Sequence, residues 1–344
     1  VNKTLINGIS FDLTEEDHIE GTVRALNIQS KGGGQFEIAD ELIGSKRPTI
    51  VGLGLDIDSK LAGQMDASKA HIVIIGEELA KKGINPIMEF FYRNKGSYLS
   101  SKIVISKGKA KDILSTEKEK SPIAFVILQT LKGAELDTTI PKHDAFAVWQ
   151  QIFDPGKDMT LPFLEKVEEN KIEVAGVALF NGDKYSGKTL KKEKSTLLLL
   201  LLDQLKMTGR MALVLDPETK NRSISFSTKH MKRDFEVNVD KSANKITANV
   251  HIKIDIEVAS FPQDFNKKLN VEKLNKELSK DLTKMAKEIT DTLLQANCDA
   301  FGVGRRLSSY HPELWQKVNW DQEYKNVQID PKVTVNIVET GNVY

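Results

Sequence analysis

The chain has 344 residues, enough for two or three ordinary domains, and its 40% hydrophobic and 28% charged residues are a globular balance. Its 49 basic and 48 acidic side chains nearly cancel, so no global basic footprint points to nucleic acid, although a local lysine patch could still meet acidic lipid. One cysteine, Cys298, excludes an intramolecular disulfide and a cysteine-based metal site, and no stretch reaches the ~18 apolar residues of a membrane span.

The chain begins at Val1 rather than Met, which leads us to expect a segment removed upstream, such as a signal peptide. Strand-like alternation covers 9–17 and 21–29. A flexible SKGGGQ and a further strand, FEIAD, follow. Ile50, Leu53, Ile57, Leu61 and Met65 fall at helical spacing. HIVIIG, 71–76, is a short apolar run ending in glycine, as a buried strand would be. EELAKKGINPIMEFFYRN gives two helical pieces broken at Gly83 and Pro86, KIVIS a strand, and GKAKDIL a short helix. PIAFVILQTLK and HDAFAVWQQIF complete an α/β pattern over 1–153.

DPGKD, 154–158, marks a domain boundary on composition. A small middle domain over 154–216 is expected to hold the strands MTLPFLEKV and KIEVAGVALF, a hairpin, a core helix carrying the run Leu197 to Leu202, and MALVLD as a strand. The third domain, 217–344, alternates in RSISFSTKH, RDFEVNVD and KITANVHIKIDIEV, which predicts antiparallel strands with one wet face and a turn at 240–244. An amphipathic helix follows over about 271–300, then an aromatic stretch from Tyr310 to Trp320 and a last strand, KVTVNIVE. The expected class is α+β or mixed α/β: three domains of mixed or antiparallel sheets packed with helices.

GDKYSGKT, 182–189, matches the phosphate-loop pattern G-x-x-x-x-G-K-[ST]. A working loop links a buried strand to a helix starting at the Gly-Lys-Thr, where backbone N–H groups converge on phosphate. Here Asn181-Gly182 is a strong hairpin signal, and the apolar helical face begins only at Leu197, so we read two paired strands. GLGLD, 52–56, lacks the third glycine of a dinucleotide fingerprint and reads as a helix packing face, while Gly302 and Gly304 read as breakers ending the long helix. No two of the six histidines have i,i+4 spacing, so no metal helix is predicted. Cys298 reads as a core residue, and Asp255 and Glu257 as a solvated strand edge. No catalytic, metal or cofactor set assembles.

The chain as a whole resembles the Ger(x)C family of spore-germination lipoproteins. The first match carries His71, Gly76, Glu77, Ala80, Gly83, Ile84, Arg93, Gly108, Ala110, Ile113 and Leu114. The second puts Ala178, Phe180, Lys184, Gly187, Leu190 and Glu193 at a family hairpin and helix start. The third carries Gln295, Asp299, Phe301, Gly302, Gly304, Pro312, Trp315 and Trp320, and Glu257 fits the acidic residue closing a long strand. The resemblance implies structural or interaction roles at these positions and a three-domain fold. It also implies a palmitate-type lipid anchor upstream of Val1, the outer face of the inner spore membrane, and two integral membrane subunits as partners in a nutrient receptor. The rivals from other classes are a nucleotide-binding protein using GDKYSGKT and a soluble solute-binding protein for amino acids or sugars.

Overall fold

The computed structural model describes residues 3–61, 63–93, 99–117, 121–215, 223–260 and 270–340. Contacts group the chain into two compact units: 1–132, 142–154 and 159–187 in the first, and 133–141, 155–158 and 188–344 in the second. The class is α+β with mixed sheets. The grouping does not delineate three domains: it assigns 159–187 to the first unit and 188–216 to the second.

The first unit opens with β1 (Lys3–Leu13), β2 (Ile19–Gly32) and β3 (Gln35–Arg47), an antiparallel meander. Within SKGGGQ, read from the sequence as flexible, Gly33-Gly34 makes a tight turn between β2 and β3, and Gly32, Gly33 and Gly34 all take positive φ. Next come α1 (Ile50–Asp58), capped by the Thr49 hydroxyl, β4 (Gln64–Asp66) and β5 (Ile72–Gly76). GLGLD lies within α1, as its helical spacing predicts. All of β5 is buried, which suits a central parallel strand covered on both faces. α2 (Glu77–Lys82) and α3 (Asn85–Arg93) then lead to β6 (Lys102–Ser106). Gly83, at φ +127°, separates the two helices, whereas Pro86 lies inside the first turn of α3, where a missing N–H costs nothing. α4 (Ala110–Leu114), α5 (Ile123–Leu136) and α6 (Ala145–Ile152) precede β7 (Thr160–Glu168), β8 (Lys171–Asn181) and β9 (Lys184–Lys191). The sheet runs β3-β2-β1-β5-β6-β7-β8-β9, with β4 beside β1; β1, β5, β6 and β7 are parallel neighbours.

The second unit contains α7 (Glu193–Leu201), whose Leu197 to Leu201 are each at most 1% exposed. Each such leucine contributes about 2 kcal/mol of burial, and the helix is apolar all round because every side of it is covered. β10 (Gly209–Val214), β11 (Ser223–Asp240) and β12 (Lys245–Ser260) are antiparallel. RSISFSTKH and RDFEVNVD, expected as two strands, are one: a bulge between Thr228 and His230 only shifts the register. α8 (Val271–Gln295) ends five residues before the expected 300, and Asn297 turns the chain with φ +49°. α9 (Val303–Tyr310), α10 (Pro312–Trp315) and α11 (Trp320–Glu323) lead to β13 (Gln328–Thr340). β13 pairs with β12 in parallel, so this second sheet is not the purely antiparallel one that the alternation predicts; α8 supplies the crossover a parallel pair requires.

β13 closes the edge of its sheet, and α8 covers that edge with polar side chains. Asn275 Oδ1 accepts from Ile337 N–H, Ser279 Oγ from Val335 N–H, and Thr283 Oγ1 from Val333 N–H, at 2.9 to 3.0 Å. Lys287 Nζ donates to the Ile329 carbonyl at 3.1 Å. The i+4 spacing of these four residues places them on one helix face, and that face satisfies a strand edge that would otherwise be open.

Candidate functional site

GDKYSGKT is a β-hairpin. β8 and β9 meet at a two-residue turn, Gly182-Asp183, in which Gly182 takes φ +56°. Lys188 and Thr189 lie on β9 and not at a helix start, so the backbone N–H groups do not form a phosphate cradle. The turn has another role. Asp183 Oδ2 accepts from Asn85 N–H (3.0 Å), and its carbonyl accepts from Ile84 N–H (2.9 Å), capping α3 from 98 residues away. Gly83 makes room, since a Cβ there would come within 2.5 Å of that carboxylate. Asp183→Ala is expected to cost about 1 kcal/mol of stability, a typical cap loss, measured by urea unfolding. An unchanged midpoint would show that the cap is idle.

The same device recurs at the carboxyl ends of the parallel strands, where open α/β sheets ordinarily receive ligands. Asp12, at the end of β1, is 2% exposed, and its two oxygens accept from Ala110 N–H (2.7 Å) and Lys111 N–H (2.9 Å) at the start of α4. Burial raises its pKa, against the pull of those two N–H groups. Gly76, at the end of β5, must be glycine because a Cβ would overlap Asp12 Oδ1. Glu77 accepts from Gly108 N–H (2.7 Å), fixing the loop that enters α4, and Gly108 takes φ +68°. The position a ligand anion would take is filled by the chain's own carboxylate.

In the second unit, Asp299 is 1% exposed. Its Oδ1 accepts from Val303 N–H (2.9 Å), and its Oδ2 from Gly304 N–H (2.8 Å) and Trp320 Nε1–H (3.0 Å). Asp158 N–H donates to the Asp299 carbonyl, and Asp299 N–H donates back to Asp158 Oδ2 (2.8 Å). Burial, with Asp158 alongside, pushes the Asp299 carboxyl up to about 7, although three donors favour its charged form. Gly302, at φ +73°, is the N-cap of α9, and Gly304 lies inside that helix. Neither glycine ends the long helix, as the sequence suggested; together they begin the next one. Trp320 also packs against Trp315 (5.7 Å) and Tyr324 (5.8 Å), and the buried Tyr324 hydroxyl donates to the Cys298 carbonyl.

The spore germination protein N-terminal domain family matches residues 2–166, and the spore germination B3/GerAC-like C-terminal family matches 175–341. The chain belongs to the Ger(x)C family of germinant-receptor C subunits. It is 22% identical over 339 residues to spore germination protein GerQC of Bacillus cereus, covering 98% of this chain and 92% of that one. It is 21% identical over 299 residues to YfkR of Bacillus subtilis strain 168, covering 84% and 76%. The crystal structure of the GerBC protein superposes with a TM-score of 0.62 at 16% identity, over 96% of this chain and 97% of that one, and so shares its fold.

The Ger(x)C positions separate by environment. Gly76 abuts Asp12 and Glu77 holds Gly108 at the loop entering α4, while Asp299, Gly302, Gly304 and Trp320 meet at the start of α9. Phe301 is buried beside Phe235, their ring centroids 5.9 Å apart. His71 precedes β5, with its pKa lowered by burial and by Lys132 and Lys69. Gly187 takes φ +83° within β9. Arg93 pairs with Glu89, and Glu257 with Lys229, on exposed surface; Gln295 is the exposed end of α8. Asp255 accepts from Asn336 (2.8 Å), so Asp255 and Glu257 are engaged separately rather than as a pair. The sequence reading passed over Asp12, Asp183, Gly156 and Asp158. One signal was present: α4 has no capping side chain of its own, and such a helix asks for a partner from elsewhere.

Proposed function

We propose that this chain is a non-enzymatic, lipid-tethered subunit of a nutrient germinant receptor, acting in receptor assembly or signal relay. It works with two integral membrane subunits at the outer face of the inner spore membrane. The observation that carries the non-enzymatic part is the hairpin at GDKYSGKT: the one nucleotide-site motif of the sequence forms a turn whose aspartate caps α3. The buried carboxylates Asp12 and Asp299 are likewise engaged by helix N–H groups and not aimed at open space. No helix among the described residues is long and apolar enough to cross a membrane, and an N-terminal tether would supply the attachment, raising the local concentration at membrane partners. One acyl chain binds only marginally, so a diacyl anchor or a protein partner completes the attachment.

Mass spectrometry of the N-terminal peptide from spore membranes is expected to show a diacylglyceryl cysteine upstream of Val1. An unmodified N-terminus in a soluble fraction would remove the membrane role. Thermal melts with Mg-ATP are expected to show no saturable shift; a shift that disappears in Lys188→Ala would restore the nucleotide reading.

A further inference from the structure

Arg233 is out of place. From Met231 onward the odd-numbered residues of β11 form its half-buried face, and that face reads Met231, Arg233, Phe235, Val237, Val239. Their register partners on β12, Ile254, Ile252, Val250, Ala248 and Ile246, are buried and apolar. A charge on an apolar face costs free energy unless it is paired. Arg233 makes no carboxylate pair among the described residues, and its Nε is buried without a hydrogen-bond partner.

Two further cations crowd it. The Arg233 guanidinium lies 4.6 Å from the Phe235 ring centroid, and the Arg306 guanidinium of α9 lies 5.5 Å from the same centroid. Arg306 also lies 5.8 Å from the exposed Tyr310 ring. Lys157 lays its stem against Gly302, where a Cβ would meet its Cδ at 3.2 Å. Burial, then the Arg233 charge, lowers the Lys157 pKa; burial lowers that of Arg233, which Arg306 also opposes. The attractions of Asp203 for Arg233 and of Asp299 for Lys157 act at a distance, without an ion pair. Arg306 is exposed, and Arg233 and Lys157 are half-buried.

We propose that Lys157, Arg233 and Arg306, walled by Phe235 and Phe301, bind a phosphate-type oxyanion, supplied by a lipid headgroup or by free phosphate. Guanidinium forks match tetrahedral oxyanions, and none of these three cations forms an ion pair with a carboxylate among the described residues. A bound anion would offset the mutual repulsion of these cations. This reading stands on the second unit alone and does not depend on the receptor role.

Full-length protein titrated with inorganic phosphate, against chloride at matched ionic strength, is expected to show saturable thermal stabilisation. Arg233→Met and Arg306→Gln should each weaken the phosphate affinity about tenfold, the loss of one charge-assisted contact. Lys232→Gln, on the opposite face of β11, should not. Arg306 is exposed, so its variant keeps the test valid even where Arg233→Met fails to fold. Sedimentation with phosphatidylglycerol vesicles, against phosphatidylcholine, separates the sources: binding lost in Arg306→Gln assigns a lipid headgroup, and a phosphate shift without vesicle binding assigns the free anion. Absence of both responses, or responses identical in wild type and Arg306→Gln, would overturn the proposal.

Discussion

Gly156→Ala is expected to destabilise the protein by about 3 kcal/mol or more, which ranks with the severe single substitutions. A Cβ at Gly156 would stand 2.5 Å from both Arg305 N and the Gly304 carbonyl carbon. These are backbone atoms of α9 and cannot swing aside as a side chain would. The φ of +77° adds a left-handed penalty of about 1–2 kcal/mol. Forcing the segments apart also loses the Arg305 N–H to Gly156 carbonyl bond, 2.9 Å long, and disturbs Gly304, whose own Cβ would meet Trp320 Nε1 at 2.5 Å. Three glycine-dependent contacts therefore fail together. The chain has three tryptophans, Trp149, Trp315 and Trp320, so urea unfolding by fluorescence in a Trp149→Phe background reports on this region. Gly108→Ala, at φ +68° with open space around it, is the control and should lose about 1 kcal/mol from backbone strain alone. Equal losses in the two variants would mean that the close approach does not constrain the fold.

The elements read from the sequence are those whose signal is local. β5 is a continuous apolar run, and the turn at 182–183 is set by Gly182. β11 was read as two strands for a physical reason: before the bulge the even residues Ile224, Phe226 and Thr228 are buried, and after it the odd residues face inward. An alternation whose phase flips looks like a break. The direction of β13 is set by the α8 crossover and not by its own residues. Asn275, Ser279, Thr283 and Lys287 read as a wet helix face, yet they bond the β13 edge, because the period of a helix does not say whether water or backbone will meet it. The candidate sites were least legible for the same reason. Asp12 reaches residues 98 and 99 positions away, and Asp158 meets Asp299 across 141. DPGKD, read as a boundary, holds Gly156, Lys157 and Asp158, which all bear on the start of α9.

Asp299→Asn is expected to change both the stability of the protein and its dependence on pH. The two carboxylate oxygens of Asp299 accept three N–H donors, two from α9 and one from Trp320. An asparagine amide turns its NH2 toward at least one of them, leaving a buried donor unpaired at a cost of about 2 kcal/mol at pH 5. The pH effect follows from the folded carboxyl titrating near 7 rather than at its ordinary 3.8. Between these values the folded chain holds a proton that the unfolded chain has released. Stability from this group is therefore complete below about pH 4 and is lost as pH rises through about 7, with a limiting slope of about 1.4 kcal/mol per unit. Asparagine does not titrate, so this component of the slope is absent in the variant, and the gap between the two proteins narrows as pH rises. Urea midpoints for both proteins from pH 4 to 8 measure the difference. Parallel curves would mean that the three N–H donors outweigh burial and keep Asp299 ionised across the range. The α9 start would then be held by a fixed charge, and acid, rather than the approach to neutrality, would loosen it.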